Sequence, residues 1–207
     1  MALKSRSRSV INKETPQIPM NIINVGYDST NYYLIEFKGG KLLIDCGWPG
    51  TLPKLMAELK RKGISINEIK YLLVTHFHPD HAGITQELKK LGTKLILLEN
   101  QVDFVPHFAE FFVGKNLPYV EITQNDNLVL KFEDSRKFLA GLGISGEIIS
   151  TPGHSDDSVT LILDEGFAFT GDLHPRFMVP EEDHVTRESW DKIYQHKITK
   201  IFPAHGR

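Results

Sequence analysis

The chain has 207 residues, of which 41% are hydrophobic and 24% are charged, a balance typical of a globular protein rather than of a disordered or membrane-embedded one. Its formal net charge of -2 excludes a global basic field that would attract a nucleic-acid backbone. The single cysteine excludes an internal disulfide and fits a reducing compartment.

The first predicted segment, residues 1–20, is a flexible N-terminal tail. It carries positive charges, but it lacks an apolar run of signal-peptide length, and nowhere in the chain do 18 apolar residues follow one another. We therefore expect a cytoplasmic protein in which residues 21–207 form a single domain.

Strands open the predicted domain, and helices then alternate with strands. Residues 23–48 are rich in Ile, Val, Leu and Tyr and are interrupted by turn signals, which predicts two or three short strands. Leucines at helical spacing predict a helix over residues 51–62. An apolar run at residues 69–74 predicts a buried strand, and a helix over 84–90 and a strand over 95–98 follow it.

The second half of the chain contains an aromatic stretch and further strands. Phe104, Phe108 and Phe111 are spaced as on one face of a helix, which favours core packing and leaves a substrate-facing wall or a subunit contact as alternatives. Residues 122–142 are predicted to be hairpin-like and helical. Two further strands flank the sequence TPGHSDDS, and a last helix is predicted over residues 188–196.

Three histidines and an aspartate lie within six positions of the sequence THFHPDHAGI, directly after a predicted strand. While the backbone stays extended, the rings of His76 and His78 leave the same side of the chain and can meet one ion. Pro79 favours an extended His78 and suits the first turn of a helix, so Asp80 and His81 should point elsewhere. One loop is thus predicted to serve two neighbouring sites.

Later turns offer further ligands for such a site. A catalytic zinc site needs three protein ligands and an open position, and histidine and carboxylate ligands without cysteine suit a divalent ion of this kind. The candidates are His154 in PGHS, Asp172 in TGD and His205 in PAHG. Each follows a predicted strand or lies in a Gly-containing turn, which favours delivery to one edge of a sheet.

The order of these motifs resembles that of the metallo-β-lactamase superfamily of metallohydrolases. H-x-H-x-D-H is followed by P-G-H-S, by G-D and by P-x-H-G, and LLIDCGW precedes them, so the resemblance extends from about residue 22 to the end of the chain. It implies an α/β fold, a four-layer αβ/βα sandwich of two mixed β-sheets with outer helices and metals at one edge. Asp45 would hydrogen-bond near the histidine loop and hold the ligand geometry.

The resemblance also implies a binuclear centre with two zinc ions per chain, and iron or manganese are the alternative metals. One ion would be held by His76, His78 and His154. The other would be held by Asp80, His81 and His205, and Asp172 would bridge the two.

Such a centre implies a metal-dependent hydrolase in which a metal-bridging hydroxide attacks a small acyl substrate, namely an ester, a thioester or a lactone. The predicted catalytic residues are Asp80, Asp172 and His174, with Asp80 or a metal-bound water carrying protons and His174 contacting the substrate or donating a proton. Two alternatives stay open. One is a mononuclear iron dioxygenase acting on a persulfide, which shares the H-x-H-x-D-H motif, and the other is an RNA-processing nuclease.

The predicted partner is a small-molecule substrate, with no nucleic acid and no membrane. Because His205 lies so close to the last residue, we expect either a partner subunit or the preceding loop to hold it, and a homodimer is one arrangement that would do so.

Several polar residues are interpreted without a catalytic role. His107, His184 and His196 lie outside the motifs and are read as packed or solvated side chains. Asp156 and Asp157 are interpreted as backbone caps or solvent-facing residues, and Cys46 as buried packing.

Overall fold

Two mixed β-sheets occupy the middle of the structure, a computed structural model that describes residues 20–206. In the first sheet the six strands lie side by side in chain order, antiparallel from β1 to β3 and parallel from β3 to β6. They are β1 (Ile22–Asn24), β2 (Tyr33–Phe37), β3 (Gly40–Ile44), β4 (Ile69–Leu73), β5 (Lys94–Leu98) and β6 (Leu128–Leu130).

The second sheet has the strand order β10-β9-β8-β7, with β9 and β10 parallel and the other pairs antiparallel. Its strands are β7 (Gly146–Ser150), β8 (Val159–Leu163), β9 (Phe167–Gly171) and β10 (Lys200–Pro203). The helices are α1 (Leu52–Arg61), α2 (Pro79–Ala82), α3 (Thr85–Lys90), α4 (Phe104–Glu110), α5 (Phe132–Leu142) and α6 (His184–Tyr194).

Alternating side chains explain how the sheets and helices stack. Leu42 and Ile44 of β3 face the core between the two sheets, whereas Leu43 between them faces the core beneath α1, α3 and α4. On β8, Ile162 packs with Trp190 of α6 on the outer side of the second sheet. Each such fully buried side chain stabilises the fold by roughly 1.5–3 kcal/mol. The four-layer αβ/βα sandwich that the sequence predicts is confirmed.

The strand ends bring the polar motifs together. Because β7, β9 and β10 run in the same direction, their carboxyl ends meet at one edge of the second sheet, and the ends of the parallel strands β3 and β4 likewise meet at one edge of the first sheet. Asp45 follows β3, the histidine loop follows β4, and Asp172 directly follows β9.

Several predicted elements are confirmed, and others are wrong. The strands in residues 23–48, the helix over residues 51–62 and the strand over residues 69–74 are present. The region 122–142 is not hairpin-like, because β6 pairs in parallel with β5, and SVTLILDEGFAFTGD forms two strands, β8 and β9, rather than one.

The last helix starts four residues before its predicted position, because the side chain of Asp183 caps it by accepting a hydrogen bond from the backbone N–H of Thr186.

The predicted tail, apart from Met20, lies outside the described residues. Within residues 20–206, no helix combines the length and the apolar run that crossing a bilayer requires.

Candidate metal centre

Seven side chains of metal-ligating type lie in two adjacent groups at the edge where the strand ends meet. Within each group, the atoms that could bind an ion all lie within 4.8 Å of one another. The first group is His76, His78 and His154, and the second is Asp80, His81, Asp172 and His205. The structure therefore brings together all seven residues that the sequence singled out.

The first group is built from the loop after β4 and the turn after β7. Nε2 of His154 lies 3.0 Å from Nδ1 of His78. The ring centroid of His76 lies 4.5 Å from that of His78 and 4.7 Å from that of His154. Three imidazoles thus converge on one point, as a tetrahedral site with one open position requires.

The second group begins one turn further along the same loop. His78 has extended backbone angles, and Pro79 starts α2, which places Asp80 and His81 on a helical turn. Oδ2 of Asp80 lies 3.1 Å from Nε2 of His205 and 3.6 Å from Nε2 of His81. The change from extended to helical backbone is what lets one loop contribute to both groups.

Asp172 lies between the two groups. Its Oδ2 is 3.3 Å from Nε2 of His81, 3.8 Å from Nε2 of His154 and 3.9 Å from Nε2 of His76. Its Oδ1 is 3.4 Å from Nε2 of His205. One carboxylate therefore lies within 4 Å of histidine nitrogens in both groups.

The backbone before Asp172 is fixed by a close approach. Gly171 has a φ of 56°, and a Cβ atom at this position would lie 2.5 Å from Oγ1 of Thr75. Only glycine fits here without strain, because other residues avoid this backbone region and the space is already filled.

Asp45 supports the centre from beneath. Its Oδ1 accepts the backbone N–H of Thr75 at 2.7 Å, and its Oδ2 lies 2.9 Å from Nδ1 of His81 and accepts the hydroxyl of Thr75 at the same distance. A carboxylate at Nδ1 turns Nε2 of His81 toward the second group, the arrangement by which supporting residues orient metal-binding histidines.

His205 is held by the opposite end of the described chain, not by the preceding loop that the sequence suggested. Its Nδ1 lies 2.9 Å from the carbonyl oxygen of Ser29, and the backbone N–H of Asn31 donates to the carbonyl of Ala204 at 2.7 Å. The hydroxyl of Tyr33 donates to the carbonyl of Pro203 at 2.8 Å. The chain itself therefore supplies contacts that hold this histidine.

Asp157 makes a contact beside the first group that sequence reasoning did not identify. It is buried, and its Oδ2 accepts the backbone N–H of Phe77 at 2.6 Å, directly between His76 and His78. Gln101 ties the same region together by donating to the carbonyls of Val74 and Asp157. The sequence indicated that Asp157 either caps backbone or faces solvent. Its burial shows that it does not face solvent, and nothing in the sequence says which distant N–H it caps.

Buried atoms without hydrogen-bond partners test whether a metal fits the site. Among the described residues, Nε2 of His76, Nε2 of His81 and Oδ1 of Asp172 are buried and make no hydrogen bond. Buried polar atoms are nearly always paired, so three unpaired atoms at the two adjacent groups fit a site that binds a cation. Five imidazoles and two carboxylates without a thiolate suit zinc and similar divalent ions.

The environment of the site sets the protonation of its ligands. Burial, followed by the neighbouring imidazoles, holds the pKa of His76 well below its ordinary value. Burial alone would also lower the pKa of His81, but the carboxylates of Asp45 and Asp172 outweigh it and raise that pKa to about 10. Burial alone would raise the pKa of Asp172, yet its contacts with the histidines lower it. The first group is therefore predisposed to bind a cation, whereas in the second a cation must displace a proton.

The remaining singled-out residues lie outside the two groups. His174 is exposed, with its ring centroid 6.3 Å from that of His154, and both line a cavity of about 450 Å³ with Asp172 and His205. Cys46 is fully buried, and burial raises the pKa of its thiol to about 12, which fits packing rather than catalysis.

His107 and His184 are exposed, and His196 lies 3.6 Å from a carboxylate oxygen of Glu147. Asp156 is exposed as expected.

Comparison with known proteins finds relatives along most of the chain. The sequence profile described as the metallo-beta-lactamase superfamily matches residues 25–205. The chain is 30% identical over 183 residues to a beta-lactamase-like protein 2 homolog of Caenorhabditis elegans, covering 86% of this chain and 56% of that protein. It is 28% identical over 197 residues to a probable metallo-hydrolase of Methanocaldococcus jannaschii, covering 87% of this chain and 89% of that protein. The chain thus spans little more than half of the nematode relative and most of the archaeal one.

Solved structures share the fold. A metallo-beta-lactamase family protein from Thermus thermophilus superimposes with a TM-score of 0.70 at 22% identity, covering 91% of this chain and 73% of that one. A subclass B3 metallo-beta-lactamase of Bradyrhizobium japonicum gives a TM-score of 0.65 at 20% identity, covering 91% of this chain and 76% of that one.

Proposed function

Because the chain belongs to the metallo-β-lactamase superfamily, whose members are mostly metal-dependent hydrolases, we propose that it hydrolyses a small acyl substrate with two bound zinc ions. The substrate class is an ester, a thioester or a lactone. The observation that carries this proposal is the pair of adjacent ligand groups with Asp172 between them.

Each ligand group would hold one ion. His76, His78 and His154 would bind the first, Asp80, His81 and His205 the second, and Asp172 would contact both. When bound, the ions lower the pKa of a coordinated water toward about 7 and polarise the carbonyl under attack. The two carboxylates carry less negative charge than two dications carry positive charge, so the centre would favour the negative charge that develops on the substrate oxygen.

Proton transfer falls to side chains at the rim of the centre. Asp80 is half-buried, and its Oδ2 lies within 3.6 Å of two imidazoles. We assign its carboxylate the role of accepting a proton from the attacking water. His174 lines the 450 Å³ cavity together with His154 and Asp172, and we assign it the role of donating a proton to the leaving group. The indole N–H of Trp190 fixes the backbone of His174 by donating to its carbonyl at 2.7 Å.

The decisive experiment combines elemental analysis with a panel of lactone, ester, thioester, β-lactam, phosphodiester and RNA substrates. We expect two zinc ions per chain and turnover of an acyl compound. His76→Ala should lower kcat/KM at least about 100-fold, since it removes a ligand, while the circular dichroism spectrum stays native. His184→Ala, an exposed histidine outside the centre, is the matched control and should keep its activity.

Three results would contradict the proposal. One iron per chain would favour the persulfide dioxygenase, RNA cleaved faster than any acyl compound would favour the nuclease, and unchanged turnover in His76→Ala would remove the metal from the reaction.

A further inference from the structure

A second cavity, of about 360 Å³, opens beside the first ligand group. His78 and Pro79 form the wall nearest the centre, and the rest of the lining is Phe77, Phe104, His107, Phe108 and Phe111. Its volume lies within the range of roughly 300–1,000 Å³ typical of small-molecule sites. A molecule seated in it would touch a candidate metal ligand.

The floor of this cavity is rigid. Phe108 is buried and packs edge-on against Phe77 with ring centroids 5.8 Å apart, and against Phe112 at 5.1 Å and Tyr119 at 5.4 Å. Phe112 and Tyr119 stack on each other at 3.9 Å. Aromatic side chains locked in this way need no rearrangement to receive a ligand, which lowers the entropic cost of binding.

The rim remains open to solvent. Phe111 is 43% exposed, Phe104 is half-buried, and His107 is exposed. These side chains present apolar surface that a bound molecule would cover.

The chemistry of the lining selects the occupant. The lining contains no Asp, Glu, Lys or Arg, and Nζ of Lys115 at the rim lies over the ring of Phe111, 2.9 Å from its centroid. A charged group inside the cavity would therefore lose its hydration and find no ionic partner among the lining side chains. By contrast, the cavity beside Trp190 is lined by Arg176 and Arg187. The 360 Å³ cavity beside His78 thus suits an uncharged, apolar group.

We propose that this cavity binds the apolar acyl arm of the substrate and selects chains of several carbon atoms over acetyl groups. This inference rests on the proposed hydrolase function for its link to catalysis. Phe104, Phe108 and Phe111 are then determinants of specificity, because they contact the arm and not the reacting atoms.

A chain-length series tests the proposal on the zinc-loaded protein. With p-nitrophenyl esters from acetyl to decanoyl, kcat/KM should rise about fourfold per methylene and level off when the cavity is full. Phe104→Ala and Phe111→Ala should flatten this dependence, because each removes part of the wall. Phe177→Ala, at an exposed phenylalanine that lines the other cavity, is the matched control and should keep the slope.

A binding measurement separates failure of this proposal from failure of the hydrolase function. In calorimetry without added metal, octanamide should bind more tightly than acetamide. Phe111→Ala should lower the affinity for octanamide by about fivefold or more. If octanamide binds in this way but no ester, thioester or lactone is hydrolysed, the cavity assignment stands and the proposed function fails. If acetyl esters are hydrolysed but octanamide does not bind and the series is flat, or if only Phe177→Ala removes the slope, the cavity assignment is overturned.

Discussion

Both carboxylate oxygens of Asp45 are engaged beneath the candidate centre, one with the backbone of Thr75 and the other with His81. The residue also adopts a φ of 59°, a backbone conformation that costs about 1 kcal/mol or more for a residue other than glycine. Such a strained backbone conformation persists only where the surrounding contacts fix the residue. Here the contacts of Asp45 fix the orientation of the His81 imidazole.

Replacing this carboxylate should weaken metal binding without unfolding the protein. Asp45→Asn keeps one oxygen acceptor but loses the charge that orients His81, so zinc affinity should fall roughly 10–100-fold in a chelator competition assay. Asp28→Asn is a matched control, because Asp28 has a similar φ of 55° but pairs with Lys54 at the surface. Equal zinc affinity in both variants would contradict the supporting role of Asp45.

Zinc binding should release protons near neutral pH. Burial lowers the pKa of His81, but Asp45 and Asp172 raise it to about 10, so this imidazole is protonated at pH 7 in the metal-free protein. A cation must displace that proton, and apparent affinity should therefore rise with pH until the pH reaches about 10. Calorimetry in buffers of different ionisation enthalpy measures the release. Zinc affinity that is independent of pH between 6 and 8 would exclude it.

Asp157 is expected to position the first ligand group through the backbone of Phe77. Asp157→Ala leaves that buried N–H unpaired, which should cost about 1–3 kcal/mol in urea unfolding and weaken zinc binding at the group of His76 and His78. Its exposed neighbour provides the control, since Asp156→Ala should change neither quantity. Two variants of equal stability would mean that the N–H finds another acceptor.

At the level of elements, the end of β9 determines where Asp172 lies. Gly171→Ala combines an unfavourable φ with a Cβ that would press on Thr75, so we expect a loss of roughly 2–4 kcal/mol in unfolding free energy and weaker zinc binding. Gly92→Ala also has a positive φ, of 97°, but open space around the new Cβ, and should cost only about 1 kcal/mol. A smaller loss of unfolding free energy in Gly171→Ala than in Gly92→Ala would show that the end of β9 shifts to make room for the new Cβ atom.

The elements that the sequence predicted well are those with a strong local pattern. The helical spacing of leucines in α1 and the apolar run in β4 each predict which residues are buried. Both elements lie where the sequence predicted them. The three-residue β6 and the strand β10 have exposed or half-buried residues, so their pairing depends on neighbours that a local pattern does not contain. Tertiary context decides such short strands.

The same distinction applies to the candidate site. The ligand side chains are recognisable because each lies in a turn with its own motif. The contacts that orient them are not, because Asp157 reaches Phe77 across 80 positions and Ser29 reaches His205 across 176. A hydrogen bond between such distant residues leaves no periodic trace in either segment.

At the level of the whole molecule, bound metal should stabilise the fold, because the two ligand groups join segments from both sheets. A ligand that binds only the native state at 100 times its Kd adds about 2.7 kcal/mol, which should raise the melting temperature by roughly 5–10 °C. Scanning calorimetry with zinc and with a chelator measures this difference. Asp172→Asn should lose much of the shift, whereas an unchanged melting temperature in wild type would argue against metal binding by the folded chain.

The anchoring of His205 by Ser29 and Asn31 has a consequence for biosynthesis. As the polypeptide leaves the ribosome, the three imidazoles of the first group are all present once the turn after β7 has emerged. The second group waits for β10, which can dock only onto an N-terminal loop made long before. A nascent chain therefore contains the first ligand group early, and the second ligand group is completed only after β10 has been translated.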